Sequence, residues 1–293
     1  MRLPAVLLLL VLPSALAAQG SGALSVRTAD GWTAWWSPQH APVRWTAPDA
    51  ALTASLAWRD AGDGLAHADL TLSAPGEGVR TRVVLVRFDP ARLRLALVEQ
   101  ADDGGTARWT VDRAPREARL AVNMGQFNAA GAWGWLVVDG RERQAPGTGP
   151  LSTAFVVRDD GTAALVPAAS IDSVRQAGGV RLAVQSYPTL LDADGTVPAP
   201  LRTDGQGIDR AHRDARLALC ALRDGQFLLV LTRFGGLGKA GESIPLGLTT
   251  PEMAALTGAL GCRQAVALDG GISAQLALRP ASGAPKVWRG WRR

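Results

Sequence analysis

The Asp-Gly pairs between apolar runs constrain the fold of this chain more than any other feature. Three such pairs separate runs rich in β-branched and aromatic residues: Asp139-Gly140, Asp160-Gly161 and Asp224-Gly225. Each pair predicts a hairpin, because glycine readily takes the positive φ that a tight turn needs. Hairpins join antiparallel neighbours, which excludes a doubly wound parallel sheet. The sequence therefore predicts an α+β fold: a mixed, mostly antiparallel β-sheet with a few flanking helices, in a single domain.

One helix and the strand after it are predicted near the C-terminus. In "LTTPEMAALTGALGC" we expect Thr250 as the N-cap, Pro251 in the first helical position and Gly261 as the stop. The strand "QAVAL" follows and carries Asp269 at its end, where a rigid strand aims a functional group into an open loop. Upstream, "VRTRVVLVRFDPARLRLALVEQ", which begins at Val79, alternates apolar residues with Arg and predicts strands with one exposed face.

The N-terminus carries the pattern of an export signal. "MRLPAVLLLLVLPSALAAQG" has Arg2 ahead of a short apolar run and then the small residues of a cleavage site. We expect a signal peptide over residues 1–18, cleaved near Ala17–Ala18, and a secreted or periplasmic protein with no transmembrane segment after its removal. The apolar run is too short to span a bilayer. A buried N-terminal helix is the alternative.

The charge balance favours an anionic ligand without indicating nucleic acid. The chain has 31 Lys and Arg against 26 Asp and Glu, and its formal net charge is +5. Nearly all the basic residues are Arg, and they are scattered rather than clustered, so we expect no nucleic-acid partner. Residues 281–293 form a basic C-terminal tail, which is typical of a frayed terminus.

The two cysteines, Cys220 and Cys262, leave two alternatives. They form a disulfide in an oxidising compartment, or they are two small buried thiols. Two cysteines and three histidines without ligand spacing do not make a zinc site. The sequence predicts neither a metal site nor a cofactor, with a divalent cation at Asp269 left open.

Residues 19–118 are rich in tryptophan. Five of the ten Trp residues lie between Trp32 and Trp58, in a segment with several Pro and no clean period. We predict that this segment packs against the rest of the domain. The alternative is an aromatic platform that binds sugars.

Three polar stretches are candidates for a site. In "DGGIS", which begins at Asp269, two glycines let a ligand approach the backbone, and their amides can face an anion. The aspartate there is a base, a nucleophile or a metal ligand. "NMGQFN", which begins at Asn123, carries amides that suit sugar hydroxyls. "AHRDARLALC" leads Arg213 and Arg216 into an apolar strand, where an anionic partner is needed, either an internal carboxylate or a phosphate-bearing ligand. A structural turn, a plain loop and an internal salt bridge are the respective alternatives.

In this order, the polar stretches resemble the phosphodiester glycosidases related to N-acetylglucosamine-1-phosphodiester α-N-acetylglucosaminidase. The matching pieces are "NMGQF", "QSYPTLL", "RLALC", "LGLTTPEMAALTGALG" and "LDGGIS". The likeness covers roughly residues 119–278, and the helix–strand–DGG block is its most specific part. Met124 and Gln126 depart from the family's Gly-Gly and paired Phe, and Tyr187 stands where many members have Gly. These departures leave the identity of the sugar open.

The resemblance implies a glycosidase core over residues 119–280. Its reaction would be hydrolysis of the bond between the anomeric carbon of an N-acetylglucosamine-like sugar and a phosphodiester, releasing free sugar and a phosphomonoester. It implies Asp269 as nucleophile or general base at C1 and Arg216 as a phosphate clamp, with His212 as a further candidate for proton transfer. Substrate-binding roles are implied for eight more residues: Asn123, Gly125, Gln126, Ser186, Arg213, Gly270, Gly271 and Ser273.

Two other classes of function are open. A catalytically inactive protein that binds envelope polysaccharide or exopolysaccharide is the alternative to an enzyme. A serine hydrolase using Ser273 and His212 is the third class, although "GISAQ" has Gln275 where a nucleophile elbow needs Gly.

Overall fold

The computed structural model describes residues 22–74, 79–99, 110–128, 131–236, 244 and 246–289. The predicted signal peptide and the last four residues of the basic tail lie outside the described residues.

Nineteen β-strands and four α-helices are present in the described part of the chain. The first ten strands run over Leu24–Thr28 (β1), Gly31–Trp36 (β2), Arg59–Gly62 (β3), Leu65–Ala74 (β4), Val79–Phe88 (β5), Leu120–Val122 (β6), Phe127–Asn128 (β7), Gly131–Ala132 (β8), Leu136–Val138 (β9) and Arg141–Gln144 (β10). The others run over Thr153–Arg158 (β11), Ala163–Pro167 (β12), Val180–Ser186 (β13), Thr189–Leu191 (β14), Leu217–Leu222 (β15), Phe227–Phe234 (β16), Cys262–Ala267 (β17), Leu276–Leu278 (β18) and Lys286–Trp288 (β19). The helices are Ala50–Ala54 (α1), Ala168–Ala177 (α2), Ala199–Arg202 (α3) and Thr250–Ala259 (α4). Within the described residues, no helix has the length and apolarity needed to cross a membrane.

All three predicted hairpins are confirmed. Asp139, at φ +47°, and Gly140, at φ +75°, join β9 to β10 in an antiparallel pair. The turns at Asp160 and Asp224 likewise join β11 to β12 and β15 to β16. Positive φ at the glycine lets each turn close without a steric penalty.

The strands form four antiparallel sheets. The largest has nine strands in the order β14-β17-β15-β16-β5-β4-β1-β2, with β3 paired to β4. A second sheet has the order β10-β9-β13-β11-β12, a third is β19-β18-β6, and β7 pairs with β8. The α+β architecture in a single domain is confirmed.

The two large sheets pack face to face between helices. One core lies between the nine-stranded sheet and the helices α1 and α4, and it contains Leu85, Val230 and Met253. A second core fills the space between the two large sheets and contains Leu229 and Phe155. A third core lies between the five-stranded sheet and α2. Because successive strand residues point to opposite faces, Leu229 and Val230 belong to different cores.

The nine-stranded sheet is buried on both faces at its centre. The alternation of apolar residues with Arg along β5 predicts that one face of the strand is exposed. This prediction is wrong for the middle of the strand. Val84 and Leu85 are neighbours on β5, and both are buried, one in each core. The arginines Arg80 and Arg87 lie toward the strand ends, where their charged groups can reach water.

Helix α4 begins with a capping box one residue earlier than the sequence predicts. Thr249 is the N-cap: its hydroxyl accepts the Glu252 backbone N–H at 3.3 Å, and the Glu252 carboxylate accepts the Thr249 N–H at 2.9 Å. Thr250 is the first helical residue, because only Thr249 stands three residues before the glutamate. Gly261, at φ +89°, follows the C-cap and confirms the predicted stop.

The Trp-rich segment covers the outer side of α4, so the helix is buried nearly all round. A Cβ on Gly258 would lie 2.2 Å from the ring of Trp45, which shows how closely the indole packs on the helix. The Asp49 N–H donates to the Ala259 carbonyl at 2.8 Å. Trp35, Trp36 and Trp58 pack against the same core, whereas Trp32 is 40% exposed on the edge strand β2. Packing is therefore the role of most of these rings.

A disulfide joins Cys220 on β15 to Cys262 on β17. The two Cα atoms are 5.7 Å apart and the strands are antiparallel neighbours. Of the two alternatives, the disulfide is the one present. It joins the two strands whose ends form the candidate site.

We expect removal of this disulfide to destabilise the fold measurably. For a sequence separation of 42 residues, lost chain entropy corresponds to about 4 kcal/mol of unfolding free energy. Urea unfolding of the double variant Cys220→Ala, Cys262→Ala should show that loss, and dithiothreitol should have the same effect on the wild-type chain alone. Equal stability of the oxidised wild type and the double variant would contradict the prediction.

Candidate active site

The candidate site forms where β17 ends and β15 begins. These strands are antiparallel neighbours, with Ala218 opposite Ala267, so the end of one lies beside the start of the other. The Leu268 N–H donates to the Leu217 carbonyl at 2.8 Å and continues the pairing beyond β17. The turn after β17, residues 269–273, therefore lies against residues 214–216 before β15. Two of the three sequence candidates are brought together by strand pairing alone.

The two glycines of this turn make room for the protein's own backbone. A Cβ on Gly270 would lie 2.8 Å from the Ala215 carbonyl oxygen, and one on Gly271 would lie 2.8 Å from a carboxylate oxygen of Asp214. Gly271 also has φ +58°, where side chains other than glycine's are strained. Its N–H donates to the Ala215 carbonyl at 2.7 Å. The sequence predicts that this amide faces a ligand, and the structure instead uses it to close the turn on residues 214–216.

The backbone of Asp269 is held from both sides by the Asn123 loop. Its N–H donates to the Met124 carbonyl at 3.0 Å, and its carbonyl accepts the Asn123 side-chain amide at 2.8 Å. The Asn123 side-chain oxygen accepts the Gln275 N–H at 2.7 Å. Both ends of the Asn123 amide are thus bonded to protein, and the side chain positions the turn. The third candidate stretch joins the site through these bonds.

Burial raises the pKa of the Asp269 carboxyl above its ordinary value. A hydrogen bond from the Ser273 hydroxyl opposes this effect, and the negative charge of Asp214 adds to it. Burial disfavours the charged form of a carboxyl, and a like charge does the same. Asp269 is therefore a partly buried acid whose proton is held more tightly than that of a surface aspartate.

Arg216 is a partly buried cation that is bonded to carbonyl groups. Its Nε donates to the Leu248 carbonyl at 3.0 Å and its Nη2 donates to the His212 carbonyl at 2.7 Å. Burial lowers the pKa of the guanidinium, and the charges of Asp214, Asp209 and Glu252 act against that shift. Among the described residues, no carboxylate is in ion-pair contact with Arg216. Such a site can accept an anionic ligand, since the guanidinium charge lacks a contacting partner.

Arg213 has an internal partner. Its two terminal nitrogens donate to the two carboxylate oxygens of Glu252 at 2.6 and 2.7 Å, and both side chains are largely buried. The same glutamate completes the capping box of α4. The internal carboxylate is one of the two alternatives raised by the sequence, and the pair ties residues 212–216 to the helix N-terminus.

His212 and Asp214 lie at the open side of the turn. The His212 Nε2 is 3.6 Å from the Asp214 Oδ2, and the imidazole is mostly exposed. The other oxygen of Asp214 accepts the N–H of Ala215 at 2.8 Å. Asp214 was not singled out in the sequence, although its position between two arginines in "HRDAR" is a signal. It supplies a second carboxylate close enough to influence the pKa of Asp269.

The remaining predicted residues lie on the opposite side of β17 from Arg216. Ser186 is buried, and its hydroxyl donates to the Ala267 carbonyl at 2.7 Å. The Gln126 side-chain amide donates to the Tyr187 carbonyl at 3.3 Å. Gly125 lies where a Cβ would be 3.1 Å from the side chain of Val184. Ser186 therefore holds the end of β13 to β17, while Gln126 is at the rim.

A buried glutamine beneath this rim was missed in the sequence. The side-chain oxygen of Gln185 accepts the N–H groups of Trp135 and Gly147, each at 2.8 Å. Its amide donates to the Gly147 carbonyl at 3.1 Å and to the Ser152 hydroxyl at 2.8 Å. Every polar group of the side chain is satisfied, so Gln185 holds the 147–152 segment to β13. A lone glutamine between a valine and a serine gives no local signal of this role.

Comparison with known proteins identifies the family. Residues 114–290, more than half of the chain, match the sequence model of the phosphodiester glycosidases. The chain belongs to the phosphodiester glycosidase family. The catalytic domain of zebrafish N-acetylglucosamine-1-phosphodiester α-N-acetylglucosaminidase, auto-inhibited by its pro-peptide, has a similar structure with a TM-score of 0.57. Identity is 18%, and the match covers 87% of this chain and 89% of that chain, so this likeness shows the fold.

Two other solved structures are similar at lower scores. A hypothetical protein from Synechocystis has a TM-score of 0.46 and 15% identity, covering 88% of this chain and 64% of that one. A protein from Burkholderia pseudomallei has a TM-score of 0.49 and 15% identity, covering 80% and 95%. No curated protein matches the sequence.

In the candidate site of this family member, the Asp214 and Asp269 carboxylates lie close enough for the charge of one to influence the pKa of the other. In the part of the chain that the structure describes, no three His, Cys, Asp or Glu side chains are grouped tightly enough to hold a metal ion.

We expect Glu252→Gln to destabilise the fold strongly. The substitution removes the negative charge of Glu252 from the buried pair with Arg213, and breaking a buried pair typically costs about 3–5 kcal/mol. Urea unfolding measures the loss. Glu142→Gln is the matched control, because Glu142 pairs with Arg175 at the surface and such pairs are worth about 0–1 kcal/mol. Similar losses in the two variants would contradict the structural role of the buried pair.

We expect Asp269→Asn to stabilise the fold at pH 7. Folding raises the pKa of this carboxyl, so its contribution to stability falls as pH rises from the ordinary aspartate value through the raised one. The difference in unfolding free energy between the variant and the wild type should be smaller at pH 4 than at pH 7. Asp160→Asn should instead lower the stability at pH 7, because hydrogen bonds from Thr162 lower the pKa of Asp160. A destabilised Asp269→Asn protein at pH 7 would refute the electrostatic account.

Proposed function

We propose that this protein hydrolyses the bond between the anomeric carbon of a sugar and a bridging phosphodiester, releasing free sugar and a phosphomonoester. The sugar is N-acetylglucosamine-like. The observation that carries the proposal is the close contact between the turn that carries Asp269 and the segment that carries Arg216, with the Gly271 N–H donating to the Ala215 carbonyl at 2.7 Å. Both side chains are partly buried, and Arg216 has no contacting carboxylate among the described residues. Membership of the phosphodiester glycosidase family supports the same reaction class.

Arg216 is the group proposed to hold the phosphate. A guanidinium binds phosphate oxygens through parallel N–H donors, and in a partly dehydrated site this attraction is stronger than in water. The carbonyls of Leu248 and His212 orient its plane before the substrate arrives. The positive charge of Arg216 stabilises the phosphomonoester that leaves. This reduces the need for a separate general acid.

Asp269 is proposed to act at C1 in its ionised form. It either attacks C1 as a nucleophile or removes a proton from the water that attacks. In the first case an ester bond between Asp269 and C1 forms as the C1–O bond breaks, and water then cleaves this ester and restores the carboxylate. In the second case the water oxygen bonds to C1 as the C1–O bond breaks, and its proton goes to Asp269. In both cases the electron pair of the C1–O bond leaves with the phosphate, and the hydroxyl from water ends on C1. The raised pKa brings this base closer to neutral pH, where proton transfer is most effective. The Ser273 hydroxyl holds the carboxylate in place.

Asp214 and His212 are proposed to handle the proton after that step. They are 3.6 Å apart at the open side of the turn, next to solvent. Histidine is the side chain used most often for proton transfer in catalysis. This role is an addition to the residues indicated by the sequence, since it depends on Asp214.

We also propose that the protein works outside the cytoplasm. The N-terminal pattern of an export signal and the Cys220–Cys262 disulfide support this, because disulfides form and persist in oxidising compartments.

The direct test is hydrolysis of α-N-acetylglucosamine-1-phosphate diesters by the purified mature protein. Asp269→Asn should lower kcat/KM on the order of 10³-fold or more, and Arg216→Gln about 10²-fold or more. Asp139→Asn, in an exposed turn, and Arg44→Gln, in an exposed ion pair with Asp194, are matched controls and should leave the rate unchanged. An EDTA arm tests the divalent cation that the sequence leaves open.

Normal turnover by folded Asp269→Asn protein would remove Asp269 from the mechanism. If the wild type cleaves none of a set of diesters with different sugars but binds glycans saturably, the protein is a glycan-binding member of the family, and the proposal is wrong.

A further inference from the structure

Two aromatic side chains lie at the rim of the candidate site without a role in the proposed chemistry. Tyr187 is 43% exposed. The ring of Trp133 meets that of Tyr187 edge to face, with centroids 4.8 Å apart and planes at 67°. We call Trp133 and Tyr187 the aromatic corner. Exposed rings grouped beside a candidate site are typical of a binding surface.

The aromatic corner is fixed by packing and hydrogen bonds. The Trp133 ring lies so close to Gly147 that a Cβ there would be 2.8 Å from it. The Trp133 N–H donates to the Gln126 carbonyl at 2.8 Å, and the Gln126 amide donates to the Tyr187 carbonyl at 3.3 Å. The segments that carry the rings are therefore bonded to each other, so a ligand would order few side chains on binding.

Both segments of the corner attach to β17 next to Asp269. The Ala267 N–H donates to the Pro188 carbonyl at 2.9 Å, directly after Tyr187. The Asp269 N–H donates to the Met124 carbonyl, two residues before Gln126, whose carbonyl accepts the Trp133 N–H. A strand rises about 3.3 Å per residue, so the path from Asp269 through Ala267 and Pro188 to Tyr187 is at most about 13 Å long. That span can hold one or two sugar rings.

Sheet order separates the corner from the guanidinium. The strands run β14-β17-β15, so the segment before β14 and the segment before β15 lie on opposite sides of β17. Tyr187 belongs to the first of these segments and Arg216 to the second. Asp269, at the end of β17, is between them. A substrate whose phosphate lies on Arg216 and whose C1 lies at Asp269 therefore directs its sugar toward the corner.

We propose that the aromatic corner binds the sugar ring on the glycone side, the ring that is released with its own C1. The inference rests on the proposed function, and it assigns to the corner the choice of sugar. Aromatic faces bind the C–H faces of a pyranose, and the neighbouring Gln126 amide suits its hydroxyls. The polar groups of Gln126 lie among the rings, which favours a sugar over an alkyl chain, since the latter needs a continuous apolar surface.

Binding of the two products to the wild-type chain tests this assignment separately from turnover. The probes are methyl glycosides of hexoses and N-acetylhexosamines on one side and methyl phosphate on the other, measured by ligand-observed NMR. Tyr187→Ala should weaken binding of the preferred glycoside about fivefold to tenfold. Binding of methyl phosphate should be weakened by Arg216→Gln and not by Tyr187→Ala. Tyr187→Phe retains the ring and should restore the affinity, and Trp32→Ala, an exposed ring on β2, is the matched control.

The kinetic arm compares N-acetylglucosamine-1-phosphate diesters of methanol, octanol and the 6-hydroxyl of methyl glucoside. Tyr187→Ala should lower kcat/KM for all three by a similar factor, since they share the same glycone. A loss confined to the glucoside diester places the corner on the alcohol side, and a loss confined to the octyl diester makes it an alkyl site. Either result overturns the proposal.

Failure of the two proposals is distinguishable. If glycosides bind in a Tyr187-dependent manner and no diester is cleaved, the proposed hydrolysis fails and the sugar site stands. If diesters are cleaved and the corner variants bind glycosides as the wild type does, or if no glycoside binds, the sugar site fails and the hydrolysis is unaffected.

Discussion

The close contact between the turn at 269–273 and the segment at 214–216 is the constraint on which the rest of the site depends. It exists because β15 and β17 pair antiparallel, and it requires two positions without a Cβ. Gly270 accommodates the Ala215 carbonyl and Gly271 accommodates the Asp214 carboxylate. The two glycines that follow Asp269 therefore bring the turn with this carboxyl against the segment that leads to Arg216, and ligand access is a consequence.

The charges of residues 212–216 are divided between structure and site. Arg213 is neutralised by Glu252 at the start of α4, which anchors the segment to a helix buried nearly all round. The Arg216 side chain, three residues later, donates to the carbonyls of Leu248 and His212 and contacts no carboxylate in the described part of the chain. Asp269 stays a partly buried acid with Asp214 nearby. Burying such groups without contacting countercharges costs stability, and a phosphate-bearing ligand would relieve the cost at Arg216.

The scaffold around the site is held by polar side chains as well as by packing. Asn123 ties the Asp269 carbonyl to the Gln275 amide, and Gln185 satisfies four partners beneath the rim. Both amides were available in the sequence, and the hydrogen bonds that the structure shows for them are to the protein itself. Sequence composition indicates that an amide can bind a hydroxyl, whereas only the fold decides whether backbone groups reach it first.

Local sequence rules were sufficient for the hairpins, for α4 and its glycine stop, and for the position of Asp269 after a buried strand. Those features depend on neighbours within a few residues, such as the Asp224-Gly225 pair, and on apolar periodicity. The burial of both faces of β5, the Arg213–Glu252 pair, the influence of Asp214 on Asp269 and the aromatic corner were decided by tertiary structure. Each depends on segments distant in the chain that sheet pairing brings into contact, and no local pattern encodes which partner arrives.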